Sequence, residues 1–441
     1  MVNIMASSNN KIPSNVNNEG SQETALLFQD NVTPNENIAT LVADYPRRFF
    51  QSHQLDKAIQ MYERIAEIEF KQYREGRDLK GEVCDFRESE FRSAGDTSQQ
   101  TASMQPTIST AKAAIELAVK FGMDYEPACF RFIARLVQKF PQEPSLILLF
   151  SECLERMGAP NRALIFSTYS LLSCLDKNPL HHAALIKENI YNNVQNIAAI
   201  MQLTKGLPTV VLASLPYSGL SAIYPVLREI LSAQFHYDIF ASNHMSPFYH
   251  LFVDIPFPLY HYTHDSFATF KDTIALKNTK FLFLHRDPRD AFLSRVKDMV
   301  NVKNYPTLSE KEIFMKVLDD MPASLSRAWE WLQQDDTCCF KFSFEEMKRD
   351  LRTLFMRIFN FLELPVDKNL LEETIRKHSF ETVTGRRRGE NGDPIRTSRL
   401  LCRKGISGDW KNHFDDEIKR KFKKLCGSFV IDMGYESSDE W

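Results

Sequence analysis

Apolar positions recur at helical spacing through the first half of the chain and in short unbroken runs through the second. In Leu55–Phe70, LDKAIQMYERIAEIEF, the residues Ile59, Tyr62, Ile65 and Ile68 fall at three-residue steps, and Ala58, Met61 and Ala66 widen the stripe. That spacing predicts an amphipathic helix. A polar interruption, Ala94–Thr110, reads as a loop, after which the helical spacing returns. Two stretches there begin alike, EPSLILL and NPLHHAAL, with Pro144 and Pro179 35 residues apart. This is close to the ~34-residue period of tetratricopeptide-like helix pairs. The Trp, Gly and Tyr marks of that repeat are mostly missing, so an irregular helical domain fits the pattern equally well. Before all this, residues 1–37 are rich in Asn and Ser and poor in aromatics, the composition of a disordered segment.

The texture changes at Lys205–Pro208. TVVLA (Thr209–Ala213) is a short β-branched run followed by a turn and an amphipathic helix. KFLFLH (Lys280–His285) and CCFKF (Cys338–Phe342) read as further buried strands, with helical stretches between. Strands alternating with helices predict a parallel sheet covered on both faces. The expected organisation is therefore a disordered segment 1–37, an α-helical domain 38–204 and an α/β domain 205–441, the last long enough for a sizeable core.

Composition narrows the function little. Apolar residues make up 43% and charged residues 25%, and the net charge is −3. This offers no global reason to expect nucleic acid or an anionic membrane as partner. The eight cysteines form no C-x-x-C pair, which argues against a zinc site; they are scattered, with nothing resembling a disulfide framework, which fits a reducing compartment. No metal-ligand cluster stands out, no secretory leader opens the chain, and no apolar run approaches the ~20 residues of a membrane span. The expectation is a cytoplasmic protein. Local charge says more: Arg386–Lys424 holds thirteen Lys/Arg against six Asp/Glu.

Three stretches carry candidate chemistry. In Ser214-Leu215-Pro216-Tyr217-Ser218-Gly219-Leu220-Ser221, a strand, a Gly-containing turn and a helix N-terminus direct free backbone N–H groups at one point, which suits a phosphate or sulfate. It is not GxxxxGK[ST]. In FLFLHRDPRDAFLSRV, Arg286 stands at the expected C-terminal edge of the sheet, where α/β proteins bind ligands, and Ser294 follows eight residues on. Arg with a hydroxyl suits a terminal phosphate. The letters HRD lack the Asn and DFG of a protein kinase. In RKGISGDWKNHF (Arg403–Phe414), two cations precede Gly405, whose backbone can approach a ligand closely.

Together these stretches resemble the sulfotransferases that use 3′-phosphoadenosine 5′-phosphosulfate (PAPS), over about Thr209 to Trp441. The resemblance implies a P-loop-like parallel sheet; the all-α domain expected ahead of it rests on the helical spacing alone, since the resemblance does not reach residues 1–200. The resemblance also implies binding of the 5′-phosphosulfate by Tyr217, Ser218, Gly219, Leu220 and Ser221, and of the 3′-phosphate by Arg286, Ser294, Arg403, Lys404 and Gly405. Phe344, in FEEMKRD, and Phe380, in KHSF, match aromatics near the adenine. The family's K-T-H histidine lies 22 residues before the strand-end Arg, which makes His264 the expected base and PAPS the co-substrate, with no metal. GRRRGENGD (Gly385–Asp393) resembles the stretch before RKG in bacterial and plant-type members.

Two family cations are replaced, by Tyr217 and by Tyr262, and Ala222 stands where an aromatic is usual. A tyrosine can donate a hydrogen bond but brings no charge; a cation from Arg386–Arg388 is the candidate substitute. The KxxxTVxxxE dimer motif is not matched. Two functions follow from the resemblance: sulfuryl transfer to a hydroxyl or amine acceptor, small molecule or peptide, or a nucleotide-binding adaptor whose N-terminal helices engage a protein partner. A phosphate-binding, kinase-like enzyme is the more distant alternative.

Overall fold

The computed structural model describes residues 36–51, 108–120, 127–177, 183–240, 257–270, 278–302, 309–391 and 403–441. The helix expected over 55–70, Pro179, residues 1–35 of the expected disordered segment and most of the expected loop at 94–110 lie outside the described residues.

Helices come first: α1 (Glu36–Gln51), α2 (Ile108–Lys120), α3 (Pro127–Lys139), α4 (Pro144–Arg156), α5 (Pro160–Lys177) and α6 (Ala183–Leu203). Proline opens α3, α4 and α5, where its fixed φ suits the first turn and its missing N–H has no helical partner to lose. Phe49, Phe50, Phe150 and Phe166 interlock α1, α4 and α5. The Phe150–Phe166 pair packs edge to face with centroids 5.1 Å apart, an arrangement the ring quadrupoles favour.

α6 ends at Leu203 and β1 (Thr209–Ser214) begins six residues later. Then follow α7 (Leu220–Phe235), β2 (Asp238–Phe240), β3 (Leu259–Thr263), a 3₁₀ turn at Phe267–Phe270, and β4 (Thr279–His285). α8 (Pro288–Val302), α9 (Glu310–Leu332), β5 (Cys339–Ser343), α10 (Phe344–Arg349), α11 (Leu351–Phe361), α12 (Lys368–Lys377) and α13 (Phe380–Thr384) come next. A 3₁₀ turn at Asp409–Asn412 and α14 (Asp416–Asp432) complete the chain's described elements.

The strands form one sheet in the order β2-β3-β1-β4-β5, and every pair is parallel. This is the expected α/β class, a parallel sheet preceded by helices. Alternate residues of β1 feed two cores. Val211 and Ala213 join Phe281 and Phe283 under α8, α9 and α14. Val210 and Leu212 join Leu282 and Leu284 under α7 and α11. Burial on both faces is why these strands are continuous apolar runs. The first core extends without a break to Ile38, Phe150 and Ile197 of the preceding helices.

α5 closes the β2 edge. Asp238 and Arg162 form an ion pair at 2.5 Å with both side chains fully buried. Asp238 also accepts from the Asn161 and Arg162 amides at the start of α5, and Ile239 N–H donates to the Gly158 carbonyl. Burial raises the Asp238 carboxyl pKa, against Arg162 and these amides. Among the described residues, no helix is long and apolar enough to cross a membrane.

Candidate active site

The parallel register sets the site at the C-terminal ends of β1, β3 and β4. Beyond Ser214 the chain turns through Leu215–Gly219 into α7. Tyr217 (φ 65°) and Gly219 (φ 98°) are left-handed, which brings the amides of Gly219 and Leu220 to the positive end of α7, while the Ser218 amide donates to the Leu215 carbonyl. Gly219 is required twice over: a Cβ there would lie 2.7 Å from the Phe344 ring. Leu220 and Ser221 form the first turn of α7.

Arg286 follows the last residue of β4 and ties three segments together. Its guanidinium donates to the Tyr217 carbonyl (3.1 Å), to Ser294 Oγ (3.3 Å) and to the Ile406 carbonyl (2.6 Å). It lies 4.2 Å from the centroid of the Phe344 ring. Pro288 starts α8, and that helix returns Ser294 to Arg286. Burial lowers the Arg286 pKa, with Asp290 opposing; a guanidinium remains charged regardless.

The strap Arg403–Phe414 folds over this point. Gly405 (φ 65°) lies against Phe380, 3.1 Å from where a Cβ would stand. Asp409 bonds Arg403 and, at 3.2 Å, Lys404. Burial pushes the Asp409 carboxyl up, but hydrogen bonds from Arg403, Asn412 and Lys404 outweigh it and hold the group well below the usual carboxylate range. Asp290, in the first turn of α8, accepts from the Gly408 (2.5 Å) and Trp410 (3.0 Å) amides and so pins the strap to β4's end. Of the Gly385–Asp393 stretch, residues 385–391 are described. Gly389 N–H donates to the Lys404 carbonyl, and Arg386 donates to the carbonyls of Glu390 and Arg403. Arg386 thus serves the strap's own backbone.

His264 follows β3, where the β1–β3 register sets it beside Ser214. Its Nδ1 lies 2.9 Å from the Ser214 carbonyl and 3.1 Å from Ser214 Oγ. A carbonyl only accepts, so the neutral ring carries its proton on Nδ1, and Nε2 is the basic nitrogen. Tyr262 sits edge-on to His264 and to Tyr224. The Tyr217 hydroxyl donates to Asp298 of α8 at 2.8 Å, and burial, then the Asp298 charge, raises its pKa.

The residues expected from the sequence thus fall in linked groups. Tyr217, Gly219, Arg286, Ser294 and Phe344 share contacts around Arg286. Arg403, Lys404, Gly405 and Phe380 share the strap, which Ile406 joins to Arg286. His264 sits at the neighbouring strand end. Sequence reasoning missed Ser214, Asp290 and Asp409, because their roles depend on pairings between distant segments. It also gave no role to Lys348, though the residue stands in the quoted FEEMKRD. Among the described residues, the buried donors without a hydrogen-bond partner include one from each motif, Ser218 Oγ, Arg286 Nε and Arg403 Nε, alongside others outside the motifs such as Tyr260 Oη. A buried polar atom left unpaired costs about 1–3 kcal/mol. The residues present therefore fit a multiply charged anion.

The parallel α/β sheet, with a Gly-containing loop after β1, an arginine at the end of β4 and a cationic strap across it, is a fold of the P-loop-like kind. The sulfotransferase-domain model matches residues 168–434, and the chain belongs to that family. The match begins inside α5, upstream of the Thr209 start read from the motifs. Similar relatives include rat sulfotransferase 1E1, from Rattus norvegicus (26% identical over 160 residues, 34% of this chain and 54% of the relative). Another is the flavonol 3-sulfotransferase of Flaveria bidentis (25% over 186 residues, 37% and 58%). The chain spans about half the length of the curated relatives it matches. Among solved structures, mouse sulfotransferase SULT7A1 complexed with PAP aligns with a TM-score of 0.42 at 21% identity, covering 54% of this chain and 90% of that one.

Proposed function

We propose that this chain binds PAPS and transfers its sulfuryl group to a hydroxyl or amine acceptor. The observation that carries the reading is the set of unpartnered buried donors, one on each motif, in loops that Arg286 links. In this reading the 218–221 loop receives the 5′ end. Arg286, Ser294, Arg403, Lys404 and Gly405 receive the 3′-phosphate, and Phe344 and Phe380 flank the adenine. Bound there, PAPS supplies an activated sulfuryl group and a phosphate leaving group. His264 Nε2 takes the acceptor's proton as its oxygen or nitrogen attacks, while Ser214 holds the ring's tautomer and orientation. Positioning and charge stabilisation supply the rest.

Calorimetric titration of the full chain with 3′-phosphoadenosine 5′-phosphate tests the binding half, and transfer from labelled PAPS to phenols, amines, sugars and peptides tests the chemistry. Absence of binding heat overturns the proposal. A second reading, a nucleotide-binding adaptor with impaired transfer, is favoured by one observation: Tyr217 brings no cation and its hydroxyl is engaged by Asp298. Tight binding without turnover across the panel would support it, and Tyr217→Lys restoring turnover would locate the defect.

A further inference from the structure

Lys348 lies one helical turn beyond Phe344 on α10, hence on the same face. Its Nζ is 6.0 Å from the centroid of the Phe344 ring, which also carries the Arg286 guanidinium at 4.2 Å and backs Gly219 of the 218–221 loop. The nearby acids are engaged elsewhere. Glu345 accepts from the Ser407 and Tyr435 hydroxyls, each at 3.1 Å. Glu346 pairs with Arg357, and Asp290 holds the Gly408 and Trp410 amides. Among the described residues no carboxylate pairs with Lys348. The charged groups it faces are Arg388 and Arg286, with Glu345 and Asp290 contributing less. Burial, then repulsion from Arg388 and Arg286, lowers its pKa. Among the described residues Arg388 pairs with Glu381 at 3.5 Å, an exposed contact.

Cations gathered with acids that are engaged elsewhere, so that mutual repulsion is only partly offset, favour an entering anion. We propose that Lys348 is a further binding residue for the donor's 3′-phosphate, and that it sets the preference for 3′-phosphorylated adenosine nucleotides over plain 5′-nucleotides. Arg286 presents a rigid fork already shared with protein carbonyls; Lys348 adds a mobile point charge that can follow the phosphate. The inference rests on reading the site as one for PAPS.

The test is calorimetry on the full chain with 3′-phosphoadenosine 5′-phosphate and with adenosine 5′-phosphate, for wild type, Lys348→Ala and Lys348→Arg. Lys348→Ala should lose about tenfold in affinity for the bisphosphate, the worth of one charge-assisted contact, and almost nothing for the monophosphate. Lys348→Arg should retain most of the preference. Free Lys348→Ala should melt no lower than wild type, since it removes repulsion. Equal losses for both nucleotides, or no loss for either, overturn the role of Lys348 while leaving the site reading intact. A wild-type chain with no preference for the bisphosphate overturns both.

Discussion

Arg286→Ala separates two roles that a binding assay alone would merge. In the free protein the guanidinium donates to the carbonyls of Tyr217 and Ile406 and to Ser294 Oγ. Hydrogen bonds from a charged donor contribute about 1.5–3 kcal/mol each. Water replaces part of what is lost, so removing the two carbonyl contacts should cost about 3 kcal/mol. For a domain of this size each kcal/mol lowers Tm by about 2–4 °C. The free variant should therefore melt about 10 °C lower, and its affinity for 3′-phosphoadenosine 5′-phosphate should fall by about a hundredfold or more. Scanning calorimetry without nucleotide and titration calorimetry with it read the two effects separately. A free variant that melts with the wild type would show that Arg286 joins nothing before ligand arrives. Arg286→Lys keeps the charge but not the fork, and should recover little of the lost Tm.

Other substitutions test the remaining parts. His264→Ala should cut kcat by about 10²-fold or more while leaving nucleotide affinity unchanged; normal turnover in a rapid-mix assay would remove it as the base. Asp409 has a pKa held below the usual carboxylate range in the folded chain. Its contribution to stability is therefore complete above the ordinary carboxylate pKa of about 3.9 and is lost as pH falls toward the depressed value. Melting curves from pH 7 to pH 3 should show a shallower acid decline in Asp409→Asn, and identical slopes would contradict the assignment. Gly219→Ala combines a left-handed φ with a 2.7 Å contact to Phe344, so it should cost about 1–3 kcal/mol and weaken nucleotide binding. An alanine variant that binds normally would mean the ring can shift freely.

The sheet's centre was readable because TVVLA and KFLFLH are buried on both faces, which leaves nearly unbroken apolar letters; CCFKF, at the β5 edge, showed through its aromatics although Lys341 is partly exposed. β3 was not, because its burial is carried by Tyr260 and His261, residues whose letters look polar. β2 is three residues long and leans on α5, a contact no local pattern records. The site divides the same way. Gly219, Arg286 and Gly405 announce themselves by spacing along the chain. Asp290 and Asp409 read as solvated acids in isolation; both are almost fully buried, and each binds a segment that only the fold brings near. In the sequence Tyr217 stands as a lost cation, and the Asp298 contact that engages its hydroxyl comes from 81 residues away.

The α5–β2 junction has a bearing on how this chain can be divided. A border strand of a sheet offers its outward amides and carbonyls to any passing strand. Here the Gly158 carbonyl occupies the outward amide of Ile239, and Arg162 neutralises the carboxylate beneath it. Trimming the chain to residues 205–441 would strip that cover and leave Asp238 as a lone buried acid, a change that typically costs about 3–5 kcal/mol. The severed piece should be prone to stick to itself edge to edge, so the helices ahead of β1 act as its solubility guard as well as its neighbours.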